Sequence, residues 1–210
     1  MTDSGGAVSL EIELTFDVDD ATALPDWTGL PGVARVDGPE HRDLDARYLD
    51  LDDVTLGRAG YAVRRRSGGP DEGWHIKGPR GVDGGRVETH WPLDDTDGIV
   101  VPDAVATAVA AIAPGPLTAL ARIRNARAAY ALTDADGGLI AEFVDDHVQA
   151  TDERRGITSN WREWEFELGP AAPTDAAARA ALLAAATAAV LRAGGRVAAS
   201  DSKLARTLGV

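Results

Sequence analysis

The chain has no cysteine, one methionine, two lysines and few aromatic residues, with three tyrosines, three phenylalanines and five tryptophans. Without cysteine there can be neither disulfides nor thiolate metal centres, a composition that suits a reducing compartment. Basic residues number 21 against 34 acidic ones, a formal net charge of −13. The chain therefore lacks the broad basic face that gathers nucleic-acid backbones or anionic membranes, and any anion must be met locally. A signal peptide is not expected, because "MTDSGGAVSLEIE" has neither a basic n-region nor an apolar h-region. The longest apolar run, Ala180 to Leu191, falls short of the ~20 residues that span a bilayer. These absences predict a cytoplasmic protein with no membrane and no nucleic acid duplex as partner.

Familiar motifs are missing as well. The glycine turns "GRAGYAV" and "GPRGVDGG" have neither P-loop nor dinucleotide-binding spacing. His41, His75, His90 and His147 are scattered without a His-x-x-x-His pair, so they read as surface or lumen groups, not zinc ligands. Trp161 and Trp164 read as packing residues.

With 210 residues and 44% hydrophobic content, one globular domain over residues 1–210 is expected. Strand patterns dominate: short alternations bounded by Gly, Pro or Asp near Val8 to Val18, Val33 to Leu51 with a break, Gly60 to Ser67, Gly73 to Gly78, Gly85 to Leu93, Leu117 to Leu132, Leu139 to Thr151 and Asn160 to Leu168. Short polar links join consecutive strands, so a mainly antiparallel sheet of about eight strands is expected to close into a barrel. Helices are predicted from about Pro102 to Ala113, and from an N-cap at Thr174 to Arg192 before "GG". The fold class is α+β. The Ala-rich second helix should cover one face of the barrel, and its alanine surface could also serve a homodimer.

Side chains two apart on a strand share a face, and here the polar face is nearly always fully charged. Glu11 and Glu13 stand together in "SLEIELTF", Arg64 and Arg66 in "YAVRRR", and His75 and Lys77 in "WHIKGP". Arg86, Glu88 and His90 share a face, as do Glu163, Glu165 and Glu167 opposite Trp164, Phe166 and Leu168. Turned into a barrel, such faces would line a lumen costly to dehydrate unless ions and ligand complete it. Ranked carboxylates suit a hard divalent cation, and guanidinium forks and ammonium groups suit phosphate oxygens. The two lysines, Lys77 and Lys203, among 21 basic residues hint at places where a compact charge is needed.

These stretches resemble the CYTH superfamily, the triphosphate tunnel metalloenzymes, in family order along nearly the whole chain. "EIELTF" resembles its Glu-x-Glu-x-Lys opening, "ARYLD" its Tyr-x-Asp, "AVRRR" its Leu-Arg-x-Arg, "WHIKGP" its Lys-Gly-Pro, and "GRVET" its Arg-x-Glu. "RNARAAY", "AEFVDD", "REWEFEL" and "SDSKLARTLG" are similar to its Arg-x-x-Tyr, Glu/Asp, Glu-x-Glu-x-Glu and closing Ser-Lys elements. The resemblance implies metal ligands among Glu11, Glu13, Glu142, Asp146, Glu163 and Glu165, joined by Glu88 and Glu167, with Mg²⁺ or Mn²⁺ as cofactor. Phosphate contacts are implied for Arg64, Arg66, Lys77, Arg86, Arg127 and Lys203. Arg127 is preferred over Arg122 and Arg124, which have the opposite parity and are expected outside or at a bulge. Thr15 replaces the opening lysine and brings no charge. The implied activity is metal-dependent hydrolysis of a triphosphate, most of all inorganic tripolyphosphate, through a metal-activated water. The alternatives are a module that binds polyphosphate without cleaving it, as beside a CHAD domain, and class IV adenylate cyclisation.

Overall fold

The computed structural model describes residues 6–82, 84–93, 100–200 and 202–210. Residues 1–5 of the stretch read for a leader, Asp83 of a glycine turn and Asp201 of the closing element lie outside the described residues. Fourteen elements follow in order: β1 (Ala7–Glu11), β2 (Glu13–Val18), β3 (Arg35–Asp50), α1 (Thr55–Arg58), β4 (Ala62–Ser67), β5 (Gly73–Arg80), β6 (Arg86–Pro92), α2 (Asp103–Ile112), β7 (Thr118–Thr133), β8 (Leu139–Asp152), β9 (Ile157–Leu168), α3 (Ala176–Ala193), β10 (Arg196–Val197) and α4 (Lys203–Leu208). Within the expected Val33 to Leu51 segment, β3 shifts register between Asp37 and Glu40 and again between Tyr48 and Leu49.

The strands form one antiparallel sheet in the order β1-β6-β5-β4-β3-β7-β8-β9-β2-β10. A closed barrel of eight strands is therefore incorrect, since ten strands make an unclosed ladder. The difference has a local cause at Ile12. Before it, β1 pairs with β6, Glu11 opposite Arg86; after it, β2 pairs with β9, Glu13 opposite Glu167. Ile12 itself accepts a hydrogen bond from the Leu168 amide at 3.0 Å. One interrupted segment thus links the β6 and β9 sides of the sheet, and Arg196 and Val197 add a last short strand on β2.

The sheet is inverted relative to an ordinary half-buried one. Its outer face carries the apolar residues, covered by helices: Val63, Trp74 and Ile76 pack with Val105 and Val109 of α2, and Phe16, Phe143, Trp164 and Phe166 cluster with Leu182, Ala186 and Val190 of α3. Inside, Ala46, Ile123, Val148 and Ala150 form a smaller apolar cluster with Leu204 of α4. The N-cap of α3 is Asp175 instead of Thr174, its Oδ1 accepting from the Ala178 amide at 2.8 Å. A carboxylate there also meets the positive end of the helix dipole. At 18 residues α3 is long and apolar enough to cross a membrane, more than its longest apolar run suggests. In this structure its buried residues dock on the outer sheet face.

Candidate active site

The inner faces of the strands surround a cavity of about 350 Å³ whose lining includes Glu13, Arg66 and Glu165. Of the fourteen residues expected at the site, Glu11, Glu13, Glu142, Glu165, Glu167, Arg64, Arg66, Lys77, Arg86, Arg127 and Lys203 reach this cavity. Glu88, Asp146 and Glu163 do not line it; they are buried behind the lining, at 4%, 0% and 2% exposure. From there they hold cations that do line it, through the contacts described below. Arg122 and Arg124 lie on the other face, paired with Asp45 at 2.5 and 3.4 Å.

The charges form three groups. Lys203 opens α4, and its Nζ stands 3.0 Å from Asp146, 2.5 Å from Glu163 and 2.5 Å from Glu165. These carboxylates lie close enough together to hold a metal ion, yet the ammonium already sits among them with three donors for three acids. Beside them Arg127 grips Asp146 through Nε and Nη2, both at 2.7 Å, and reaches Glu165 at 2.9 Å. Burial alone would discharge Lys203 and Arg127, but the surrounding acids outweigh it and hold both well above their ordinary values.

The second group joins Lys77, whose Nζ bridges Glu11 at 2.9 Å and Glu13 at 2.7 Å, drawing together two acids that sit on different strands. Glu13, Glu167 and Glu142 stand in register across β2, β9 and β8. Glu142 is clasped by both terminal nitrogens of Arg42 at 3.0 Å. Glu167 has no hydrogen bond or ion pair among the described residues, and burial, then Glu11, Glu13 and Glu165, push its carboxyl up to about 8. Burial likewise raises Glu11. This end of the cavity holds more acid than its cations satisfy, with oxygen donors only, which fits a hard divalent ion.

The third group lies along β4. Arg64 approaches Glu88 at 3.5 Å, and Glu88 Oε1 lies 2.6 Å from His75 Nδ1. Burial works to raise Glu88, but Arg64 and His75 overcome it and keep the carboxylate ionised. Burial lowers His75 to about 4 against the pull of Glu88, which works to raise it. Its Nε2 faces the Asp71 carbonyl at 3.0 Å. The buried Nε atoms of Arg64 and Arg66 have no hydrogen-bond partner among the described residues.

Arg42 and Asn125 were missed from the sequence. Arg42 shares strand parity with Leu44, Ala46 and Tyr48, and all four line the cavity, so period two could have found it. Asn125 Nδ2 reaches Asp146 at 3.4 Å; nothing in its local sequence singles it out. Ser202 caps α4, its Oγ accepting from the Ala205 amide at 3.3 Å, directly before Lys203. A Ser202→Ala protein is expected to lose about 1 kcal/mol of stability, measured by urea unfolding at unchanged m-value.

No family model matches the chain. Two uncharacterized proteins from two strains of Mycobacterium tuberculosis are 37% identical over 210 residues, covering 95% of this chain. The chain spans about 40% of the length of these relatives. Among solved structures, a candidate adenylate cyclase from Bacillus halodurans superposes with a TM-score of 0.63 at 17% identity, over 95% of this chain and 97% of that one. A Pyrococcus horikoshii protein gives 0.57 at 13% identity, over 95% and 98%. A Hippeastrum protein gives 0.56 at 15% identity, over 95% of both chains. The chain has the CYTH fold. At these identities the likeness carries the fold alone. Thr15 faces Glu165 across the β2–β9 ladder and is buried, with no partner for its hydroxyl among the described residues.

Proposed function

We propose that the cavity binds and hydrolyses a triphosphate with a divalent cation, Mg²⁺ or Mn²⁺, and that inorganic tripolyphosphate is the preferred substrate. One observation carries the reading: Glu167, without a hydrogen bond or ion pair among the described residues, lines the same cavity as Glu11, Glu13 and the cations Arg64, Lys77 and Arg127. Glu11, Glu13 and Glu167 are the residues to hold the cation, with Glu142 shared with Arg42. Bound there, a divalent ion would lower the charge on phosphate oxygens and activate water. Arg64, Lys77 and Arg127 bind and orient the triphosphate and offset the charge that grows on the leaving diphosphate. Lys203 and Arg127 hold Asp146, Glu163 and Glu165 in place. The Hippeastrum neighbour, a candidate adenylyl cyclase with a dominant triphosphatase activity, supports the reaction class.

Phosphate release from tripolyphosphate with Mn²⁺ or Mg²⁺ tests the reading. A protein that turns over neither tripolyphosphate nor any nucleoside or thiamine triphosphate is not this enzyme. Cyclic AMP formed from ATP would move it to the cyclase class. Thr15, uncharged where the family opening has lysine, favours a second reading: a module that holds polyphosphate without cleaving it, for which calorimetry would show tight binding and no product.

The acidic end makes a further prediction. The folded protein keeps Glu167 protonated to about pH 8, whereas the free group releases its proton near 4.5. Its contribution to stability is complete below pH 4.5 and is lost as pH rises through 8. At pH 8.5 without metal, a Glu167→Gln protein should melt a few degrees higher than the parent, the response of a chain this size to about 1–2 kcal/mol. Mn²⁺ should stabilise the parent more than the variant. Equal melting of the two metal-free proteins across pH 5–9 would show that Glu167 is not under this strain.

A further inference from the structure

Lys77, Arg127, Lys203, Arg64 and Arg42 all meet acids that belong to the strands lining the cavity. Arg66 is different. It is the last cavity-lining residue of β4 before the turn to β5, and among the described residues its one ion pair is with Asp71, which comes from that turn. Its side chain is 8% exposed while that of Asp71 is 54% exposed. Burial, Arg64 and Arg127 together lower the Arg66 guanidinium to about 9, so this end of the cavity has positive charge to spare.

The turn is anchored where it presents Asp71. The imidazoles of His75 and His90 stack with ring centres 4.7 Å apart. Their Nε2 atoms lie 3.0 Å from the Asp71 carbonyl and 3.1 Å from the Glu72 carbonyl, two consecutive backbone acceptors. Glu72 Oε2 accepts from the Gly68 amide at 3.2 Å. Gly68 has φ of +80°, and a Cβ there would stand 2.1 Å from the Asp43 carbonyl oxygen, so only glycine lets the turn lie this close to β3. Pro70 and Asp71 both face the cavity.

We infer that Asp71 is a resident counter-anion, occupying on Arg66 the place of one phosphoryl group and so limiting the length of phosphate chain that the cavity accepts. This rests on the triphosphate reading above. Its physical basis is competition: a chain long enough to reach Arg66 must displace the half-exposed Asp71 carboxylate from it and meets its repulsion. Chains that end short of Arg66 meet neither.

Isothermal titration of the full chain with tripolyphosphate and with a linear polyphosphate of about ten units, in Mn²⁺, tests the inference. The Asp71→Asn protein should bind the longer chain about tenfold more tightly relative to tripolyphosphate than the parent does. Adding Arg66→Met to Asp71→Asn should abolish that gain, as coupling through Arg66 requires. Asp71→Ser serves as a second variant, and far-UV circular dichroism checks that each protein is folded. An unchanged preference for chain length, or equal weakening of both ligands, would overturn the role of Asp71. If the parent and every folded variant bind neither phosphate, the triphosphate reading itself fails, a result distinct from an unchanged preference.

Discussion

Replacing Lys203 by methionine should lower stability by about 3–5 kcal/mol, the usual consequence of leaving buried charge without its partner. In a chain of this size that is a drop of roughly 6–20 °C in melting temperature. The reason is the three carboxylates around its ammonium, Asp146, Glu163 and Glu165, whose side chains are 0%, 2% and 18% exposed. Arg127 still satisfies Asp146 and one oxygen of Glu165, but among the described residues Glu163 keeps only the Trp161 indole and a distant Arg206 at 3.8 Å. Burial already raises Glu163 against the pull of Lys203, and without Lys203 it should be raised further. The same three acids then form an oxygen site without its ammonium, so Mn²⁺ should restore part of the lost melting temperature in Lys203→Met and none through this site in the parent. A fall of less than 3 °C, or a variant indifferent to Mn²⁺, would mean that Lys203 is not the cation holding these strands together.

The double substitution Glu11→Gln with Glu13→Gln should reduce turnover of tripolyphosphate by more than roughly 100-fold, since changes even one shell beyond a metal cost 10–100-fold. Both acids meet at Lys77, at 2.9 and 2.7 Å, although they belong to strands that pair with different partners. Removing their charge takes away cation ligands while leaving amide oxygens to accept from Lys77, so the fold should persist. The loss should therefore appear in kcat and in Mn²⁺ affinity by calorimetry, with a melting temperature near that of the parent. Turnover within threefold of the parent in a folded protein would remove the acidic end from the chemistry.

Strand parity made much of this site legible. Arg64 and Arg66 face inward because Val63 must face α2; Glu163, Glu165 and Glu167 face inward because Trp164 and Phe166 belong to the outer core. Period two cannot show depth, so it did not separate Glu165, which lines the cavity, from Glu163 and Asp146, which lie behind it. Nor could it show that the first strand divides at Ile12, because a change of pairing partner depends on residues 86 and 167, far away in sequence. Helix α4 is six residues long, too short for a periodic signal, and the pairing of Asp71 with Arg66 depends on a turn built around Gly68. Arg42 was legible from its parity with Tyr48.

The division at Ile12 also governs the order in which the molecule can assemble. Residues 13–18 need a partner that begins at Ile157, and Lys203 needs acids from β8 and β9. Contacts so remote along the chain form slowly. On the ribosome residues 13–18 must therefore wait, Glu13 in water, until β9 has emerged. The cavity is completed late, and a nascent chain interrupted before β9 lacks Glu165, Glu167 and Lys203 from its wall.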